Sequence, residues 1–145
     1  MSTVHATCVA ISGNGVLLRG PSGAGKSDLA LRLIDTGAQL VSDDYVRLEL
    51  QDSLPMARPP AAIEGMLEVR GLGLVRVPFV PLARVVLVVD LVDPADIPRL
   101  PEPESIDFEA FAGIRIRRIH VAPFEASAAA KIRLALQSEE RDGAR

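Results

Sequence analysis

Residues Gly20 to Ser27 read GPSGAGKS, a match to G-x-x-x-x-G-K-[ST], the phosphate-binding loop that joins a strand to a helix. The flanks supply both partners. Val16-Leu17-Leu18-Arg19 is a short, mainly apolar run of strand type. From Ser27 to Thr36, the residues Leu29, Ala30, Leu33 and Ile34 recur at i, i+1, i+4, i+5, the stripe of an amphipathic helix. Gly37 stands where a left-handed C-terminal cap is expected. Glycines let successive N–H groups converge into an anion nest. The start of the helix adds unpaired N–H groups and the positive end of its dipole. Gly20, Pro21, Ser22, Gly23, Ala24, Gly25, Lys26 and Ser27 therefore form the expected nucleotide-phosphate site, with Lys26 on the outer phosphates and the Ser27 hydroxyl on Mg²⁺. Lys26 and Lys131 are the chain's two lysines, so a Gly-Lys-Ser at this spacing is a rare event by chance. The bland alternative is a glycine-rich turn ahead of a core helix.

Composition bounds the rest. A chain of 145 residues with 48% hydrophobic residues holds one domain and one core. The domain is expected over residues 1–138, with a polar tail at 139–145. Aromatics are 3% and Trp is absent, so that core must be Val, Leu, Ile and Ala. A net charge of −3 and a pI near 5.4 argue against nucleic acid as partner. No apolar run reaches 18 residues and no secretory signal pattern opens the chain, so no membrane association is expected and the cytoplasm is the expected compartment. Cys8, the single cysteine, has no internal disulfide partner and reads as a buried core residue.

Along the chain, Val4 to Ile11 reads as one strand. Ser12-Gly13-Asn14-Gly15 marks a hairpin into the strand that feeds the glycine loop. Gln39 to Val41 is a strand entered from the helix, a β-α-β crossover, and Tyr45 to Leu50 is a further strand. Asp52 to Pro60 reads as a proline-bearing loop. Leu67 to Val77 (LEVRGLGLVRV) is interrupted by two glycines, the sign of a tight turn or of a close backbone approach. Val85 to Leu91 is the most apolar run and the expected central strand. Asp93 to Pro103 reads as a surface connection, Ile114 to Val121 as a strand, and Pro123 to Leu136 as a closing helix. Ser138 to Arg145 is polar and expected to fray.

The chemistry-bearing residues cluster near the glycine loop. Asp43 and Asp44 close the strand that follows the helix, and ligands of α/β sheets gather beyond such strand ends. One carboxylate there can hold Mg²⁺ and the other can accept a proton from an attacking hydroxyl. Neighbours on an extended strand face opposite ways, which suits one role each. The alternative is a polar turn. Glu68 fits a second metal ligand, although a Glu-Arg pair such as Glu68-Val69-Arg70 is usually an exposed surface pattern. His5 and His120 are single histidines of the kind that are more often structural. Arg84 and Arg99 can steady negative charge, but an Arg is usually a solvated cation.

Together, His5, GPSGAGKS, LVSDDYV (Leu40 to Val46) and LEVRGLGLV (Leu67 to Val75) resemble the catalytic domain of HPr kinase/phosphorylase. The likeness is close from His5 to Val77 and looser through Pro123-Phe124-Glu125-Ala126-Ser127. It implies an α/β fold built on a mixed β-sheet P-loop kinase domain, of the type shared with phosphoenolpyruvate carboxykinases. It also implies a short bacterial form, limited to the C-terminal catalytic domain, that uses ATP and Mg²⁺ to phosphorylate a serine of the phosphocarrier HPr. Many members of that family run the reverse phosphorolysis. The resemblance makes Lys26 the contact to the transferred phosphate, Ser27 and Glu68 the metal ligands, and Asp44 the base, with Asp43 beside it and His5 tuning its charge. Arg99, in Pro98-Arg99-Leu100, stands nearest to the later catalytic arginine of long members, and assembly as a homo-oligomer is compatible with the likeness. The chain departs from the family where Pro78 to Ala83 replaces a glycine-rich segment and Ala122 to Lys131 replaces the basic loop tied to dephosphorylation. The rival readings are a nucleotide-binding regulatory module without catalysis, and a kinase for another protein or a small molecule.

Overall fold

The computed structural model describes residues 1–143. Its main sheet is mixed, and the glycine loop leaves it near the middle. The chain opens with β1 (Ser2–His5) and β2 (Thr7–Ile11), then β3 (Asn14–Arg19), the glycine loop, α1 (Lys26–Asp35), β4 (Gln39–Ser42), β5 (Tyr45–Gln51) and β6 (Leu54–Arg58). A short 3₁₀ turn leads to β7 (Met66–Val69) and β8 (Gly73–Arg76), a two-stranded unit apart from the main sheet. Then follow β9 (Ala83–Leu91), β10 (Glu104–Phe108), β11 (Phe111–Val121) and α2 (Ala128–Gly143). The order is β1-β5-β6-β9-β3-β2-β4, and β11 lies parallel on β9 with β10 antiparallel beyond it.

The expected hairpin and crossover are present. Ser12 and Gly13 form the β2–β3 turn with φ of 50 and 83, the primed geometry whose twist suits a two-residue hairpin. From β3 the chain passes through α1 to β4, with β2 inserted antiparallel between them. Helix α1 ends in a Schellman cap at Gly37: the Gly37 N–H donates to the Ile34 carbonyl and the Ala38 N–H to Leu33, each at 3.0 Å.

The strands β2, β3 and β9 are almost continuously apolar because both faces of the sheet are covered. Val9, Val16, Leu18, Val89 and Leu91 pack under Leu29, Leu33, Ile132 and Leu136 of the two helices. Cys8, Leu17, Val85 and Val88 form a second core on the opposite face with Val46, Leu48, Phe108 and Ile116. Cys8 is fully buried there, as its setting predicts, and burial pushes its thiol up to about 12. The nine residues of β9, seven of them apolar, pair with three neighbours, β3, β6 and β11, so this strand is central as expected.

Several boundaries differ from the sequence reading. Val4–Ile11 is two strands that part at Ala6, because β1 pairs with β5 while β2 pairs with β3 and β4. The stretch read as a proline loop holds β6, which hairpins with β5 through Asp52 and Ser53. Pro55 is tolerated opposite Leu50 because that position beside the closing Gln51–Leu54 pair does not direct an N–H to β5. Between Leu67 and Val77, Gly71 and Gly73 have φ of 90 and 92 and open space around them, which makes the interruption a hairpin turn rather than a close approach. Strand β10 has no counterpart in the sequence pattern, and β11 starts three residues before Ile114. The closing helix starts at Ala128 rather than Pro123, since residues 122–127 turn back over α1, and it runs on to Gly143 into the stretch read as a tail. Residues 144–145 of that tail lie outside the described residues.

Candidate active site

The site forms where β3, β4 and the β1–β2 break meet the start of α1. Gly25 precedes the helix with φ 99, and no side chain caps the helix, so the first-turn N–H groups face the loop's hollow. A side chain at Gly25 would meet the Phe124 ring at 2.9 Å, so both backbone and packing demand glycine there. The Lys26 ammonium is buried and donates to the carbonyls of Gly20, at 2.5 Å, and Pro21, at 3.0 Å. Burial lowers its pKa, while the charges of Asp44 and Asp43 pull the other way. A buried cation beside a helix start whose first N–H groups have no side-chain cap suits an anion.

Asp43 is the organising carboxylate. It is 5% exposed and takes three donors: the Ser27 hydroxyl at 2.7 Å and the Thr7 hydroxyl at 3.0 Å on Oδ1, and the Glu68 N–H at 3.1 Å on Oδ2. One residue thus ties β2, α1, β4 and β7 together at the mouth of the loop. Asp44 does the reverse and points its carboxylate into solvent, with 57% of the side chain exposed. The two do face apart, but not through the pleat of an extended strand. Asp44 has φ 68, so the chain turns left-handed there, with its carbonyl accepting from Ala6 N–H at 3.1 Å. That turn carries the chain from β4 into β5, and β5 pairs Tyr45 with His5. The pairing sets His5 Nε2 2.7 Å from Asp44 Oδ1, with the Tyr45 ring 5.5 Å from the imidazole.

One cavity of about 580 Å³ is lined among others by His5, Lys26, Ser27, Asp44, Glu68 and Phe124, with Asp43 buried behind Ser27. Ser22, Gly23 and Gly25 of the glycine loop are on its wall as well. Arg99 does not line it: the residue is exposed on the segment between β9 and β10. His120 also lies elsewhere, 3.9 Å from Glu104, and Arg84 lines a separate hollow at the far end of the sheet. The sequence reading missed Thr7, Arg70 and Phe124. For Thr7 a signal existed, because a hydroxyl inside a strand of buried apolar residues needs an internal acceptor. For Arg70 and Phe124 there was none, since their place depends on how the β7–β8 turn and the loop after β11 fold over the site.

The donor set suits a hard divalent cation beside phosphate. Ser27 Oγ, Asp43 and Glu68 offer oxygen only, and Mg²⁺ usually takes one or two protein oxygens and leaves the rest to water and phosphate. Among the described residues no group of three or more His, Cys, Asp or Glu side chains forms a metal cage on its own.

A phosphate-binding loop on a mixed sheet, with a buried and an exposed carboxylate at its mouth, defines a P-loop domain arranged for phosphoryl chemistry. The family model of the HPr Serine kinase C-terminal domain matches residues 1–122, and the chain belongs to that family. HPr kinase/phosphorylase of Clostridium acetobutylicum is 45% identical over 75 residues, covering 52% of this chain and 25% of the relative. The protein of the same name from Listeria welshimeri is 46% identical over 76 residues, 52% of this chain and 24% of the relative. The chain thus matches about a quarter of the length of these curated relatives. A solved structure, the Hpr(Ser) kinase/phosphatase from Coxiella burnetii, superposes with a TM-score of 0.86 at 25% identity and 100% coverage of both chains. The fold is therefore the α/β, mixed-sheet P-loop kinase type that the motifs implied.

Proposed function

We propose that this domain is an ATP- and Mg²⁺-dependent kinase that phosphorylates a serine of the phosphocarrier protein HPr. The observation that carries the reading is the convergence of Lys26, Ser27 and Asp44 on one cavity, with the buried Asp43 bonded to Ser27 behind it and Asp44 open to a hydroxyl from solvent. The loop N–H groups and Lys26 hold the phosphate chain and spread its charge. A serine hydroxyl entering beside Asp44 gives up its proton to that carboxylate as its oxygen bonds to the terminal phosphorus, and ADP leaves with the broken phosphoanhydride's electron pair. His5, at 2.7 Å, orients Asp44. When bound at Ser27 and Glu68, Mg²⁺ supplies charge neutralisation between the phosphate oxygens. Asp43 keeps Ser27 and the β7 strand in register for it.

The reverse reaction would use the same groups, with inorganic phosphate as acceptor and pyrophosphate as product. The relatives named kinase/phosphorylase support testing it. Both substrates belong to the cytoplasm, and no helix among the described residues is long and apolar enough to cross a membrane. Incubation with HPr, ATP and Mg²⁺ followed by intact-mass spectrometry tests the reading. A gain of one phosphate on a single HPr serine is expected. An unmodified HPr, with ATP bound and unspent, would favour a regulatory nucleotide-binding module instead.

A further inference from the structure

Phe124 is a large side chain on the cavity wall that the chemistry above leaves without a part. The residue is 72% exposed, yet the carbonyls on either side of it are gripped. The Arg32 guanidinium donates to the Pro123 carbonyl and, at 3.2 Å, to the Glu125 carbonyl, and Asp28 holds Arg32 in turn at 3.1 Å. The ring edge rests on the glycine loop at Gly25, and Leu31 of α1 adds a half-buried apolar wall to the same cavity. An aromatic ring on a held backbone, with its tip against the loop and the rest open to water, offers a surface to a flat partner.

The sheet says which part of a ligand that is. Asp43 and Asp44 follow β4, and Phe124 follows β11. The strands run β11-β9-β3-β2-β4 across the site, and the glycine loop leaves β3 in the middle. Phe124 thus enters the site from the opposite side of the loop to Asp44, and its ring reaches back to Gly25 on the wall that Asp44 also lines. The reacting phosphate faces Asp44 on the β4 side. The rest of the nucleotide then runs the other way, towards β11.

We propose that Phe124 is the base platform of this site, on which a purine stacks while the phosphates lie in the loop. The proposal rests on the nucleotide-dependent reading above and names the side chain that separates a nucleotide from a bare phosphate chain. Stacking on one face reads the π-surface and not the hydrogen-bonding edge, so ATP and GTP bind within a few-fold of one another.

Calorimetric titration of the full chain with Mg-ATP and, separately, with Mg-tripolyphosphate tests it. Phe124→Ala weakens ATP about tenfold, the scale of one base–aromatic stack, and leaves tripolyphosphate within twofold. Because the chain has no Trp, Phe124→Trp introduces its one indole. That variant retains ATP affinity, and its emission is quenched by ATP but not by tripolyphosphate. Equal losses for both ligands, no loss for either, or a loss confined to the KM for a protein substrate overturns the proposal, the last making Phe124 a protein-docking anchor. An unaltered chain that binds neither ligand removes the nucleotide reading itself, whereas ATP binding that ignores Phe124 removes the platform alone.

Discussion

Asp43 and Asp44 are adjacent and chemically identical, yet conversion to Asn should damage the protein in opposite ways. Asp43 accepts two donors on Oδ1 and one on Oδ2, at 2.7, 3.0 and 3.1 Å. An amide offers a single acceptor oxygen. If that oxygen serves Ser27 and Thr7, the amide NH₂ faces the Glu68 N–H and leaves that donor unpaired, at about 1–3 kcal/mol. The two remaining bonds lose their charged acceptor, at roughly 1 kcal/mol each. Asp43→Asn should therefore cost about 3–5 kcal/mol. For a chain of this size that is a fall in Tm of about 6–20 °C. Asp44→Asn removes one contact between half-exposed groups, worth at most about 1 kcal/mol, and should move Tm by less than about 4 °C. Its effect belongs to the chemistry: phosphate transfer should drop by about 10²–10⁴ while ATP affinity stays. Thermal unfolding by circular dichroism, calorimetry with ATP and transfer rates from HPr mass spectra measure all three. If Asp44→Asn transfers normally, the base is misassigned. If Asp43→Asn melts with the unaltered chain, the buried three-donor hub is not holding the site.

Further expectations follow the same lines. Lys26→Ala should leave the fold intact, since among the described residues Lys26 bonds to the loop carbonyls of Gly20 and Pro21. It should weaken ATP by about 30-fold or more in calorimetry, the scale for losing a charged partner in a desolvated contact. Thr7→Val keeps the shape of a fully buried residue and deletes one donor to Asp43. A loss of about 1.5–3 kcal/mol in urea unfolding is expected, because the acceptor is charged. The Cys8 thiol, raised by burial from 9.0 to about 12, keeps its proton in the folded chain where the unfolded chain gives it up. Its stabilising effect is complete below pH 9 and fades at up to about 1.4 kcal/mol per pH unit between 9 and 12. Unfolding of Cys8→Ala across that range should show a shallower decline, and native Cys8 should resist iodoacetamide at pH 8.

Much of this site was legible because its code is local. The glycine loop, its strand and its helix lie within 22 consecutive residues, Asn14 to Asp35, and loop chemistry there depends on neighbours in sequence. Asp43 and Asp44 were readable for a related reason: they end the strand that α1 feeds, and strand ends are where such sites form. What misled was long-range pairing. One apolar run from Val4 to Ile11 gives no hint that its two halves join different strands, and Glu104–Phe108, hidden behind four prolines, becomes a strand only because β11 supplies its partner.

The residue types alone pointed to an anion cradle, a two-carboxylate mouth and a cysteine sunk in a core, since each follows from composition or short spacing. Only the assembled sheet decided which aspartate is buried and which is open. It also brought His5 to within 2.7 Å of Asp44 across 39 residues of chain, left Arg99 outside the cavity and seated Phe124 on the glycine loop. Strand pairing and a left-handed residue at Asp44 set those distances, and neither is encoded within a few residues of the groups they bring together.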